Sequence, residues 1–133
     1  YPMATIFTRI TKGEIPCYKI YEDENYFAFL DINPLQKGHT LVIPKKEDDY
    51  IFNLDDATYS GLMMTAKKIA AAIKESTNCK RVGVTVLGME VPHVHIHLVP
   101  MNSEKDMLFS NPKMELSKEE FEAIAADIAK RVK

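Results

Sequence analysis

Three of the four histidines in this 133-residue chain fall in one short run, His93-Val94-His95-Ile96-His97-Leu98-Val99-Pro100, each parted from the next by one apolar residue. Imidazole is a nucleophile, a general base and a metal ligand, and its reference pKa of about 6.5 leaves the neutral form dominant at pH 7. Alternation with period two is the pattern of a β-strand, whose side chains point to opposite faces in turn. On that reading Val94, Ile96 and Leu98 enter the core and three imidazoles line the other face, with alternate Cα atoms roughly 6.5–7 Å apart. The bland alternative is a polar outer face that uses histidine where such faces more commonly use other polar residues.

Two chemistries compete with it. Zinc held by a His-x-His pair and a third histidine would keep one position for water. Against that, the outer two histidines lie roughly 13 Å apart at their Cα atoms, and beyond the four histidines Glu90 is the only obvious extra ligand nearby. The second chemistry is attack on phosphorus by one neutral imidazole. That nucleophile needs an acceptor for its other N–H and donors for the phosphoryl oxygens, and flanking histidines supply such donors without metal. The spacing suits this second chemistry better.

The surrounding sequence predicts what positions the run. Ile6-Phe7-Thr8-Arg9-Ile10 reads as a short helix ending at Gly13 and packing as a lid on the core. Tyr18–Glu22, Tyr26–Leu30 and His39–Pro44 read as three strands of a meander, the third opening with the fourth histidine. A long helix follows, capped by Asp55 or Asp56, with Leu62, Ala66, Ile69, Ala70 and Ile73 on its apolar stripe and Asn78 as its stop. Arg81–Leu87 is a fourth strand, and the histidine run is the fifth. Residues 101–115 read as irregular, and Ser117-Lys118-Glu119-Glu120 is a capping box for a terminal helix striped by Phe121, Ile124, Ala125, Ile128 and Val132. Strands and helices that do not alternate predict an α+β fold, a five-stranded antiparallel sheet with one long helix, a C-terminal helix and a short N-terminal helix.

Length predicts one domain, residues 3–133, with Met3 as the natural start and Tyr1-Pro2 as a vector remnant. The net charge of −2 gives no general attraction to nucleic acid or to anionic membrane, so any nucleotide must be held by a local site. Cys17 and Cys79 are far apart in sequence and read as free thiols of a reducing compartment. With no apolar run of transmembrane length and no signal pattern, the expected location is cytoplasmic.

His93-Val94-His95-Ile96-His97-Leu98-Val99 resembles the signature of the histidine triad (HIT) family. Gly13-Glu14-Ile15-Pro16, Glu22-Asp23-Glu24, Ala28–Pro34 and Gly38–Lys45 look like its Hint branch, in the same order. The resemblance implies a homodimer that binds a purine nucleotide or nucleotide conjugate and acts at its α-phosphate as a phosphoramidase or dinucleotide hydrolase. Carried over by position, His95 attacks phosphorus and forms a nucleotidyl-histidine intermediate. His97 and His93 bind phosphate oxygens or orient the site, and His39 positions His95. Asp31 takes the ribose hydroxyls, and Ile6, Phe7, Ile10, Phe29 and Ile32 wall the base. On the residues alone, Phe29 equally suits the interior and Asp31 equally suits a turn cap.

Three departures from the family pattern bear on activity. Many bacterial relatives bind structural zinc through Cys-x-x-Cys near the start and a His after Pro-Lys; Thr5, Thr8 and Glu47 stand at those places here, so neither metal nor other cofactor is expected. Met89 and Glu90 replace a Gln and a Ser or Thr ahead of the triad, in the leaving-group and phosphate vicinity. The loop before them is shortened to Val86-Leu87-Gly88. These changes keep open a second reading, a nucleotide-binding or interaction module with little catalysis.

Overall fold

The computed structural model describes residues 4–133, so the expected start at Met3 and the remnant Tyr1-Pro2 lie outside it. β1 (Lys19–Glu22), β2 (Tyr26–Leu30), β3 (Thr40–Pro44), β4 (Arg81–Thr85) and β5 (Ile96–Met101) form one antiparallel sheet in the order β1-β2-β3-β5-β4. The β1–β2 turn is closed by Asp23, whose Oδ1 accepts from the Asn25 and Tyr26 N–H groups at 2.8 and 2.7 Å. This is the expected α+β architecture, with α1 (Ile6–Thr11), α2 (Asp56–Thr77) and α3 (Lys118–Arg131) as its helices.

Each helix has the local signals that make and stop it. Thr5 caps α1, and the chain leaves that helix through Gly13 at φ 78°, where Glu14 N–H bonds Arg9 O and Gly13 N–H bonds Ile10 O. Asp55 rather than Asp56 caps α2, and Asn78 ends it in the left-handed conformation. Ser117 and Glu120 form the expected capping box on α3. Among the described residues no helix is long and apolar enough to cross a membrane.

Both faces of the central strands are covered, and alternation along the strands sorts them. Ala28, Leu30, Val42, Ile96 and Leu98 face α2 and α3, packing with Leu62, Ile69, Ile73, Phe121 and Ile128. Phe27, Phe29, Leu41 and Ile43 face the other way and are roofed by Phe7 and Ile10 of α1. His97 pairs with Leu41, and Leu41 with Phe29, so a histidine of the run lies in the row beneath α1.

The strand boundaries near the histidines differ from the sequence expectation. β5 begins at Ile96, not His93, and β4 ends at Thr85, not Leu87. Continuing the β3–β5 register would set Val94 against Pro44, which has no N–H to donate. The freed donors turn elsewhere: His93 N–H bonds Val91 O and Val94 N–H bonds Asp48 O. Continuing the β4–β5 register would set Leu87 against His95, which lies ahead of β5, so the expected end of β4 has no strand partner. Residues 101–115 are also more ordered than expected, since Ser103 and Asp106 cap a 3₁₀ turn over Glu104–Met107.

Candidate active site

Losing the ladder does not scatter the triad. Val94, Ile96 and Leu98 still enter the core, as the alternation requires, and the three imidazoles share the opposite side. They are not a solvated face, however. His39, His93, His95 and His97 are all at most 7% exposed, with Phe7 of α1 set against His93 and His95 and Phe109 against His39 and His97. Phe7 sets its ring edge-to-face against His93 and His95, with centroids 5.8 and 5.0 Å apart.

Backbone groups determine which nitrogens carry protons. His95 Nδ1 is 2.7 Å from the His93 carbonyl, an acceptor only, so Nδ1 holds the proton and Nε2 is left as a bare lone pair. Among the described residues Nε2 has no hydrogen-bond partner, and no buried polar side-chain atom is unsatisfied, so this nitrogen meets solvent. A second chain starts at Leu35, whose N–H donates to His39 Nδ1 at 3.0 Å. The His39 proton is therefore on Nε2, which donates to His97 Nδ1 at 3.0 Å and leaves His97 Nε2 as an outward donor. A lone pair on His95 and an N–H on His97 thus stand on neighbouring rings, 4.9 Å apart at their centroids.

Burial keeps these rings neutral. Desolvation first, and the neighbouring His97 second, push His39 down to about 3; desolvation first, and His95 second, push His97 down to about 4. His93 is also lowered by burial, against the opposing pull of the Pro44 carbonyl and Glu47. Both His93 nitrogens are engaged within the protein, Nε2 donating to Pro44 O at 2.8 Å and Nδ1 lying 2.7 Å from Thr5 Oγ1.

Asp31 sits beside this chain at the end of β2. Its Oδ1 accepts from Asn33 N–H at 2.8 Å, closing a turn, while Oδ2 lies 3.6 Å from His39 Nε2. Burial raises its pKa, opposed by the Asn33 N–H and more weakly by His95 and Lys113. Of the residues expected around a base, Phe7, Ile10 and Phe29 are packed together, whereas Ile6 and Ile32 are 47% and 63% exposed at the rim. Met89 and Glu90 lie on an exposed loop, and the Met89 side chain is in solvent.

Some contributors were not legible in the sequence. Leu35 and Pro44 act through backbone groups, which carry no side-chain signature. Phe109, from the segment read as irregular, stands edge-to-face on His97 with centroids 4.9 Å apart, and Met114 N–H ties that segment to Pro34 O. An aromatic residue in a polar loop was its only signal.

Asp31, His39 and His97 bring three metal-ligating atoms within 4.8 Å of one another. A cation there would need His39 Nε2 to lose its proton while Leu35 N–H still occupies Nδ1, making an imidazolate. As placed, His39 and His97 form a hydrogen-bond chain with Leu35 N–H at its start. Thr5, Thr8 and Glu47 do converge on His93, with Thr5 N–H 2.9 Å from Glu47 Oε1, but as hydroxyl and amide donors around one carboxylate.

Comparison with known proteins agrees with this geometry. A family model described as HIT domain matches residues 12–104. An adenosine 5′-monophosphoramidase of Schizosaccharomyces pombe is 36% identical over 133 residues, covering 98% of this chain and 100% of that one. Another, of Saccharomyces cerevisiae, is 40% identical over 106 residues, covering 79% and 67%. Among solved structures, a Hit-like protein involved in cell-cycle regulation from Bartonella henselae superposes with a TM-score of 0.82 at 29% identity, covering 98% of each chain. A bare imidazole nitrogen framed by two further triad histidines, within a matching fold and sequence, places the chain in the HIT family.

Proposed function

We propose that the protein is a metal-independent hydrolase or transferase acting at the α-phosphate of a purine nucleotide derivative, a phosphoramidate or a dinucleotide. The observation that carries this is His95 Nε2, a solvent-reaching lone pair whose ring proton is held on the far side by the His93 carbonyl. Attack forms a bond from Nε2 to phosphorus and breaks the bond to the leaving group; a departing amine takes up a proton from solvent. The positive charge that develops on the His95 ring is met by the His93 carbonyl at Nδ1. His97 Nε2–H is a donor for a non-bridging oxygen, and His39 keeps it one by donating to His97 Nδ1. Water then adds to phosphorus, the bond to His95 breaks, a proton leaves to solvent, and nucleoside monophosphate departs.

The base is assigned to the rim between Ile6 and Ile32, backed by Phe7, Ile10 and Phe29, and the ribose to Asp31. The phosphoramidase relatives support the leaving group. Incubation with adenosine 5′-phosphoramidate tests the reading: wild type turns over, and His95→Ala does not. Equal turnover by the two would remove His95 as nucleophile. The exposed loop carrying Met89 and Glu90 favours a second reading, nucleotide binding with little catalysis. Calorimetric binding of AMP with no turnover of any phosphoramidate or dinucleotide is the result that would select it.

A homodimer belongs to the same reading. β4 is a sheet edge with Val84 exposed, and Met64 is exposed on α2. Light scattering is expected to return twice the chain mass, 15.1 kDa.

A further inference from the structure

His93 does no chemistry of its own, yet its carbonyl holds His95, so whatever fixes His93 fixes the nucleophile. Its Nε2–H is committed to Pro44 O, and a neutral ring must then accept at Nδ1. The atom facing Nδ1 is Thr5 Oγ1, at 2.7 Å. A hydroxyl has one proton to give. Thr8 N–H already donates to that oxygen at 3.1 Å, and the competing acceptor, Thr8 Oγ1, is farther off at 3.3 Å. The Glu47 carboxylate accepts the Thr5 N–H at 2.9 Å, and the neighbouring Thr8 side chain is the largest cause holding that carboxyl below its ordinary pKa. The Thr5 hydroxyl proton therefore has two acceptors in reach, and His93 Nδ1 at 2.7 Å is nearer than Thr8 Oγ1 at 3.3 Å.

We propose that Thr5 is a positioning residue of the triad: its hydroxyl, aimed by Glu47 and Thr8, donates to His93 Nδ1 and holds in place the residue whose carbonyl carries His95. The assignment rests on the reading of His95 as nucleophile. It gives α1 a second task besides roofing the core. The N-cap of the helix and the support of the triad are one oxygen, with its lone pairs turned to the helix and its proton to the site.

Thr5 is also the N-cap, so the test must part capping from donation. Serine caps and donates; aspartate caps equally well but has no proton to give; valine does neither. With adenosine 5′-phosphoramidate, Thr5→Asp and Thr5→Val are expected to lower kcat about tenfold or more at little changed KM, and Thr5→Ser to restore it. Nitrogen-15 NMR of the free protein reads the same point without substrate. Wild type and Thr5→Ser are expected to show His93 protonated at Nε2 with Nδ1 accepting, whereas Thr5→Val moves the Nδ1 resonance towards that of a nitrogen without a donor. Thr5→Asp with wild-type kcat and an unmoved His93 spectrum would reduce Thr5 to a helix cap and overturn the proposal. So would loss of kcat in Thr5→Ser to the level of Thr5→Val. If wild type turns over nothing, the catalytic reading fails by itself, and the His93 spectra still decide whether Thr5 is the donor.

Discussion

At the scale of single residues, Asp31 was the most ambiguous, suited by sequence to a turn cap or to a ribose. The geometry gives it the turn through Oδ1 and leaves Oδ2 on the site side, near His39. Asparagine at this position keeps the turn acceptor and removes the charge. Asp31→Asn is therefore expected to keep the fold and weaken AMP binding by about tenfold, since hydrogen bonds to charged groups contribute roughly 1.5–3 kcal/mol. It is also expected to erase the preference for AMP over 2′-deoxy-AMP. Titration calorimetry with both ligands checks it, and an unchanged ratio of affinities would take the ribose away from Asp31. The triad itself was legible at this scale because its spacing is a side-chain property. The tautomers were not: they depend on Leu35 N–H and the carbonyls of His93 and Pro44, which any residue type offers.

At the scale of elements, caps and periodicity read true for α1, α2 and α3, because each signal acts within a turn or two of its own residue. The errors fell where an element ends for want of a partner. β5 stops short of His95 near Pro44 of β3, distant in sequence, which offers no donor, and Leu87 of the expected fourth strand is left facing His95 outside the ladder. Close packing between elements makes its own demand at Gly61 of α2, where an added Cβ would overlap the Tyr26 ring of β2. The Tyr26 hydroxyl is itself fixed to Thr58 O at 3.0 Å, so the ring has little room to yield. Gly61→Ala, which should favour an isolated helix, is instead expected to destabilise the protein by about 1–3 kcal/mol. Urea unfolding measures this, and a stabilised variant would mean that Tyr26 moves aside freely.

At the scale of the molecule, the price of the site is three histidines, His39, His93 and His97, kept neutral by burial. His39 and His97 have folded pKa values of about 3 and 4, below the unfolded value of about 6.5. Between those limits the unfolded chain binds more protons, so stability is full above pH 6.5 and falls as the pH drops towards 4. Each such histidine contributes a slope of up to about 1.4 kcal/mol per pH unit. Urea midpoints between pH 7 and pH 5, above the range where carboxylates titrate, are expected to fall steadily. A flat profile there would contradict burial of neutral rings. This coupling was invisible in the chain, where four histidines look like four ordinary titrating groups.

What the amino-acid sequence determined by itself was the local grammar: where helices start and stop, which strand residues face inward, and that three imidazoles share one side. Those are short-range properties, set by backbone sterics and by a period of two or 3.6 residues. Only the tertiary structure decided that Phe7 of α1 stands over His93 and His95, that Phe109 returns from a loop to stand against His97, and that Thr5 meets His93 88 positions away. The reason is physical. A lone pair becomes a nucleophile, and a hydroxyl a support, only when the partner that takes the other proton is in place, and that partner is brought by packing rather than by sequence neighbours.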